Sequence, residues 1–142
     1  MSACCYWRAT DSIPGYSTQM EGYRRMQELL KMKSGPTAVF ARNDMTALGV
    51  IQALKESGRR IPQDMAVVGF DNLPLATMTS PALTTVHQPI EEQGARAAEI
   101  LVKRLQSRKA ASATRVLMNC RLVARESTSI QGQGEESVNR WV

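Results

Sequence analysis

Two short segments hold the side chains best suited to chemistry, Asn43-Asp44 and Asp71-Asn72. Each sets a carboxylate beside an amide. A carboxylate accepts hydrogen bonds, whereas an amide both donates and accepts, a combination that suits a polyol, a sugar or the edge of a nucleobase. The same residue types also cap helices and form turns, so Asn43 or Asp44 can open a helix, and Asp71, Asn72 and Pro74 can build a turn. On spacing alone, one member of each pair caps or turns while the other faces a ligand. Asp44 and Asp71 could also be imagined as a magnesium pair or an acid/base pair. Neither a third ligand nor a glycine loop able to cradle phosphate supports that. The single histidine, His87, has no serine or cysteine partner, so the residues call for no catalytic triad, metal or cofactor.

The elements around these pairs must bring them to one place. Thr18 and Glu21 have capping-box spacing, and Tyr23, Met26, Leu29 and Leu30 share the face of a helix that ends near Lys33. Residues 37–41 form a short apolar run without alternation, as expected of a parallel strand buried on both faces. A helix with Met45, Leu48, Ile51 and Leu54 on one side follows, and Gly58 stops it. Residues 65–69 make a second buried strand. Strand, helix and strand over so short a stretch predict a βαβ unit with parallel strands. Both polar pairs then lie at carboxyl ends of strands, where open α/β sheets bind ligands. The segment 71–81 is read as loop or short helix, and 83–86 as a third strand. Pro89 opens an amphipathic helix from Ile90 to about Leu105, with Gly94, Ala97, Ala98, Leu101 and Leu105 along one stripe. Residues 106–114 read as a polar connector and 116–123 as a last strand. The residues from Ser127 onward read as a frayed tail, with 129–142 disordered, and residues 1–15 show no clear period.

Composition sets the outer limits. A chain of 142 residues, 43% hydrophobic and 22% charged, makes one globular domain with a real core. It contains no apolar run long enough to span a bilayer and no secretory signal, which predicts a cytoplasmic protein without membrane contact. Cys4, Cys5 and Cys120 make an odd count without metal-site spacing, and they read as reduced thiols. The net charge of +5 collects at Lys103, Arg104, Arg108, Lys109 and Arg115. No aromatics interleave these residues, so the cluster reads as a solvated helix end rather than a nucleic-acid site.

The run PTAVFARNDMTALGVIQALKESGRRIPQDMAVVGFDN, from Pro36, followed by SPALTTVHQPIEEQGARAAEIL, resembles the C-terminal lobe of the sensor domain in lactose-repressor-type (LacI/GalR) bacterial transcription regulators. Residues 21–30 resemble the helix that precedes this lobe, and 121–127 its closing strand. The resemblance covers residues 16–128 and implies an α/β fold, one Rossmann-like lobe of a periplasmic-binding-protein-like (type I) domain. It implies a small-molecule effector, a sugar or a purine, held between two lobes in a homodimer. Asn43 and Asp71 match effector-bonding positions, Tyr16 looks like an aromatic that stacks on the ligand, and Asp44 becomes the helix cap. Phe40 and Phe70 are expected in the core. The family's helix-turn-helix, hinge helix and first lobe have no counterpart here, so operator DNA would be reached only through a headpiece outside this sequence. The resemblance also assigns the helix 90–105 to the first lobe. Its apolar stripe should then fold back onto the remaining lobe or mediate association. A solute-binding protein of a sugar transporter, which shares the two-lobed architecture, is the alternative reading.

Overall fold

The computed structural model describes residues 18–33, 35–107 and 113–128. The order of elements is α1 (Gln19–Leu30), β1 (Ala38–Phe40), α2 (Asp44–Glu56), β2 (Ala66–Asp71), α3 (Leu75–Met78), β3 (Thr84–His87), α4 (Ile90–Gln106) and β4 (Arg121–Val123). The four strands form one sheet in the order β1-β2-β3-β4. The first three are parallel, and β4 returns antiparallel to β3. The expected βαβ unit is therefore present, in a sheet that is mixed rather than wholly parallel.

Local chemistry explains the helices. Thr18 Oγ1 accepts from the Glu21 amide at 3.3 Å, which supplies half of the expected capping box. The Glu21 carboxylate turns instead to Arg24 and Arg25. Helices α1 and α2 then meet backbone to backbone. A Cβ at Gly22 would collide with the Thr46 carbonyl, and one at Gly49 with the Gln19 carbonyl, so only glycine permits this approach. Gly58, at φ 72°, ends the turn after α2 as expected.

The core lies between these helices and one face of the sheet, and includes Met26, Val50, Ile51, Leu54, Val67 and Leu83. Tyr23, Leu29 and Leu30 pack against it, as the periodicity of α1 predicts. In α2, Met45 and Leu48 are only half-buried, whereas Ala47, Val50 and Ala53 are buried. Small residues win here because α1 covers one flank of α2 and the sheet another.

The structure departs from the expected one in four respects. The strands are not buried on both faces. Register places Ala38, Phe40, Val68, Phe70, Val86 and Leu122 on the side away from α1 and α2, and these are half-buried or exposed, whereas Thr84 on the same side is buried beneath Arg125 and Thr128. Phe40 is 52% exposed and meets Phe70 edge to face at 6.4 Å between ring centres, outside the buried core. The last strand is also shorter than expected, because residues 113–120 are irregular and only 121–123 pair. Finally, α4 does not fold back: it has no buried residue, and Leu101 and Leu105 are 58% and 77% exposed. Cys120 is exposed, although it lies in an apolar stretch.

Candidate functional site

The carboxyl ends of β1, β2 and β3 stand side by side, and each carries one polar side chain of interest. After β1, Asn43 is the N-cap of α2. Its Oδ1 accepts from the Thr46 amide at 2.9 Å and the Thr46 hydroxyl at 2.7 Å. The assignment of the cap to Asp44 is therefore wrong. An N-cap precedes the first helical residue, and its side chain reaches the amide three positions on, which Asn43 does here. Because capping uses only the oxygen, the Asn43 Nδ2 remains a donor without a partner among the described residues.

Asp44 turns the other way and is fully buried. Its Oδ1 accepts from the Thr85 hydroxyl at 2.6 Å and its Oδ2 from the Leu73 amide at 2.7 Å. The negative end also sits in the first turn of α2, where the helix dipole favours it. A Cβ on Gly69 would strike this carboxylate, so the strand must be bare at that point. With both oxygens occupied and no solvent access, Asp44 cannot join Asp71 in a metal or acid/base pair. It ties the end of β1, the loop after β2 and the middle of β3 together.

Asp71 ends β2 at φ 103°, followed by Asn72 at φ 55°. Asparagine tolerates the left-handed region, but aspartate at this φ is uncommon and costs about 1–3 kcal/mol. Gln88 Nε2 donates to Asp71 Oδ1 at 2.6 Å, and Oδ2 has no partner among the described residues. Asn72 is held by three neighbours. Its amide donates to Thr85 Oγ1 at 3.3 Å, its Oδ1 accepts from Arg125 Nη2 at 2.8 Å, and its Nδ2 lies 3.3 Å from His87 Nδ1. Arg125 also reaches the Leu83 carbonyl at 2.7 Å, and Ser127 Oγ donates to the Val67 carbonyl at 2.6 Å. The residues after β4 thus brace the carboxyl end of β2 at Asn72 and the amino ends of β2 and β3 at Val67 and Leu83, and Ser127, expected to begin a frayed tail, is fully buried.

The structure brings Asn43 and Asp71 to the same sheet edge, while Tyr16 lies outside the described residues. An open cleft of 760 Å³ runs beside this edge, between the N-terminal half of α4 and residues 116–121, and His87 lines it. Asn43 and Asp71 do not line that cleft. Sequence reasoning missed the bracing roles of Asn72, Gln88 and Arg125. Arg125 lies 53 positions from Asn72, so no local spacing announces the contact.

A Rossmann-like half-sheet with polar groups at its carboxyl edge is the class of a periplasmic-binding-protein-like lobe. Residues 4–128 match the family described as periplasmic binding protein-like domain. The chain is 48% identical over 93 residues to the HTH-type transcriptional repressor PurR of Erwinia tasmaniensis, covering 66% of this chain and 27% of that protein. It is 40% identical over 107 residues to the HTH-type transcriptional repressor CytR of Escherichia coli, covering 75% and 31%. Among solved structures, the transcriptional regulator CelR in complex with cellobiose superposes with TM-score 0.73 at 37% identity, covering 78% of this chain and 33% of that one. A LacI family regulator from Enterococcus faecalis with bound ribose superposes with TM-score 0.72 at 34% identity, covering 79% and 41%. This chain belongs to the periplasmic binding protein-like domain family, in the form that LacI/GalR-type regulators use as an effector-binding domain. It spans about a third of the length of the curated relatives it matches.

Proposed function

We propose that this chain forms one wall of the effector site of a LacI/GalR-type transcription regulator, with Asn43 and Asp71 bonding a sugar or purine-like effector. Tyr16 supplies an aromatic surface to the same ligand. The observation that carries this reading is the left-handed Asp71-Asn72 pair at the end of β2. The strained Asp71 backbone is held by Gln88, with Asp44 and Arg125 fixing the two residues after it, and it keeps a carboxylate oxygen without a partner among the described residues at the strand end. The related regulators solved with cellobiose and with ribose support the ligand class.

In this reading residues 16–128 belong to the effector domain, and α4 belongs to the lobe across the ligand cleft. Effector shifts a homodimer between two arrangements, and a helix-turn-helix headpiece translates that shift into operator affinity. The work is done in the cytoplasm, without a membrane and without an enzymatic step. The naming of the relatives as transcriptional repressors favours this over a transporter's solute-binding protein. Among the described residues no helix is long and apolar enough to cross a membrane.

One wall of a cleft binds weakly, so millimolar ribose or hypoxanthine should shift the amide resonances of Asn43 and Asp71 in the isolated chain. Sub-micromolar affinity would refute the one-wall geometry. Amides that stay still with every sugar and purine tried would refute the effector reading itself.

A further inference from the structure

His87 is the last residue of β3 and the register partner of Asp71. It is also a lining residue of the cleft beside α4, so it stands where the strand-end edge and the cleft meet. Its ring orientation follows from a chain of hydrogen bonds with a fixed starting point. Arginine can only donate, so the Asn72 side-chain atom 2.8 Å from Arg125 Nη2 must be the oxygen. The amide nitrogen of Asn72 then faces His87 Nδ1 at 3.3 Å and must donate to it. An accepting Nδ1 leaves the proton on Nε2. That nitrogen has no partner among the described residues, and no buried side-chain polar atom there lacks one, so Nε2 is open to solvent on a residue that lines the cleft.

We propose that His87 is a specificity-determining residue of the effector site, a donor fixed in its Nε2–H tautomer by Arg125 through Asn72. The inference rests on the effector reading above and sharpens its ligand. Three adjacent strand ends carry, in order, the Asn43 amide donor, the Asp71 carboxylate acceptor and the His87 donor, the first two beside the cleft and His87 on its wall. The matching ligand is a cyclic molecule that presents a hydroxyl or N–H to Asp71 and a ring acceptor, an ether oxygen or an unprotonated nitrogen, to His87. A linear polyol lacks that ring acceptor in a fixed place.

The chain has a single histidine, so its imidazole nitrogens are readable without ambiguity by ¹⁵N NMR. At mildly alkaline pH the free chain should show a protonated Nε2 and an unprotonated Nδ1. Asn72→Asp removes the donor that faces Nδ1, and the proton should move to Nδ1 while the fold persists. A free chain protonated on Nδ1, or an Asn72→Asp tautomer unchanged from the parent, overturns the lock. Titration with ribose and with hypoxanthine should shift His87 Nε2 together with the Asn43 and Asp71 amides. His87→Phe should weaken binding by about tenfold, the loss of one hydrogen bond. A probe that moves the two amides but leaves the ring nitrogens and the His87→Phe affinity unchanged overturns this inference alone. If no probe moves any of the three, the effector reading falls with it.

Discussion

Asn43 and Asp44 are adjacent, yet they face opposite ways and carry different loads. Asn43 caps α2 with its oxygen and keeps its nitrogen for other use. Asp44 is spent inside the protein. Asp44→Ala leaves the half-buried Leu73 amide and the buried Thr85 hydroxyl hydrogen without acceptors, at about 1–3 kcal/mol for each. Denaturant unfolding should show a loss of several kcal/mol, and a loss below about 1 kcal/mol would contradict the clamp. Asp71 behaves in the reverse sense. Glycine adopts its φ of 103° without strain, so Asp71→Gly should be more stable than Asp71→Ala by about 1 kcal/mol. Both variants should lose effector binding. Equal stability of the two would mean that the backbone at this position is not strained.

At the scale of elements, the α1–α2 pair is the firmest unit and α4 the weakest. Tyr23 Oη donates to Glu56 Oε2 at 2.6 Å and joins the two helices at their exposed edge. The bond holds the Glu56 carboxyl below its ordinary 4.5 and raises the Tyr23 phenol above its ordinary 10.0. A lowered carboxyl contributes stability above its ordinary value and loses it as pH falls; a raised phenol contributes below its ordinary value and loses it as pH rises. The melting-temperature gap between the parent and Tyr23→Phe should therefore be widest between pH 4.5 and 10.0 and narrow on both sides. A gap independent of pH would show that the hydroxyl acts through packing alone. Asp64 follows the carboxylate pattern, since the Arg60 side chain and amide hold it far below the usual range. Helix α4 is held mainly by local terms: Glu91 and Glu92 in its first turn, Lys103 and Arg104 in its last, and an Arg96–Glu99 pair at 2.7 Å, with Arg104 also donating to Thr114 Oγ1 at 3.4 Å. Such terms contribute tenths of a kcal/mol each, and a lone helix of this length is marginal in water. Its amides should exchange with solvent far faster than those of α2 in dilute solution. Protection of α4 in a dilute monomer would sink both this prediction and any role for its stripe in association.

For the molecule as a whole, the decisive asymmetry is a sheet with one face packed and one face open. The packed face holds Val67 and Leu83 against α1 and α2, while the open face shows Phe40 and Leu122, each 52% exposed. Each such side chain, like Leu101 and Leu105 on α4, forgoes roughly half or more of the about 1.5–3 kcal/mol that full burial brings. Exposed apolar area on this scale drives association. Sedimentation should show a concentration-dependent shift to larger species, and Phe40→Ser with Leu122→Ser should diminish it. A strict monomer at every concentration would contradict that expectation.

Sequence periodicity was enough to place α1, α2, β2, β3 and α4 close to where they lie, because apolar spacing and caps are local facts. It was also enough to put Asn43 and Asp71 at strand ends, and the family motifs carried the rest of the architecture. Which of Asn43 and Asp44 caps was not decidable from types alone, since either can accept a backbone hydrogen bond. That choice is made by Thr85 and Leu73, 41 and 29 positions away from Asp44, which claim the carboxylate for the interior. Likewise, apolar runs such as 37–41 announce that a strand can be buried on both faces, but not whether anything covers it. The covering of a face, the bracing of Asp71 by Gln88, and the tautomer of His87 all depend on groups far apart in the chain. Only tertiary structure brings these together, because hydrogen bonds and packing act across a few ångströms of space rather than along the sequence.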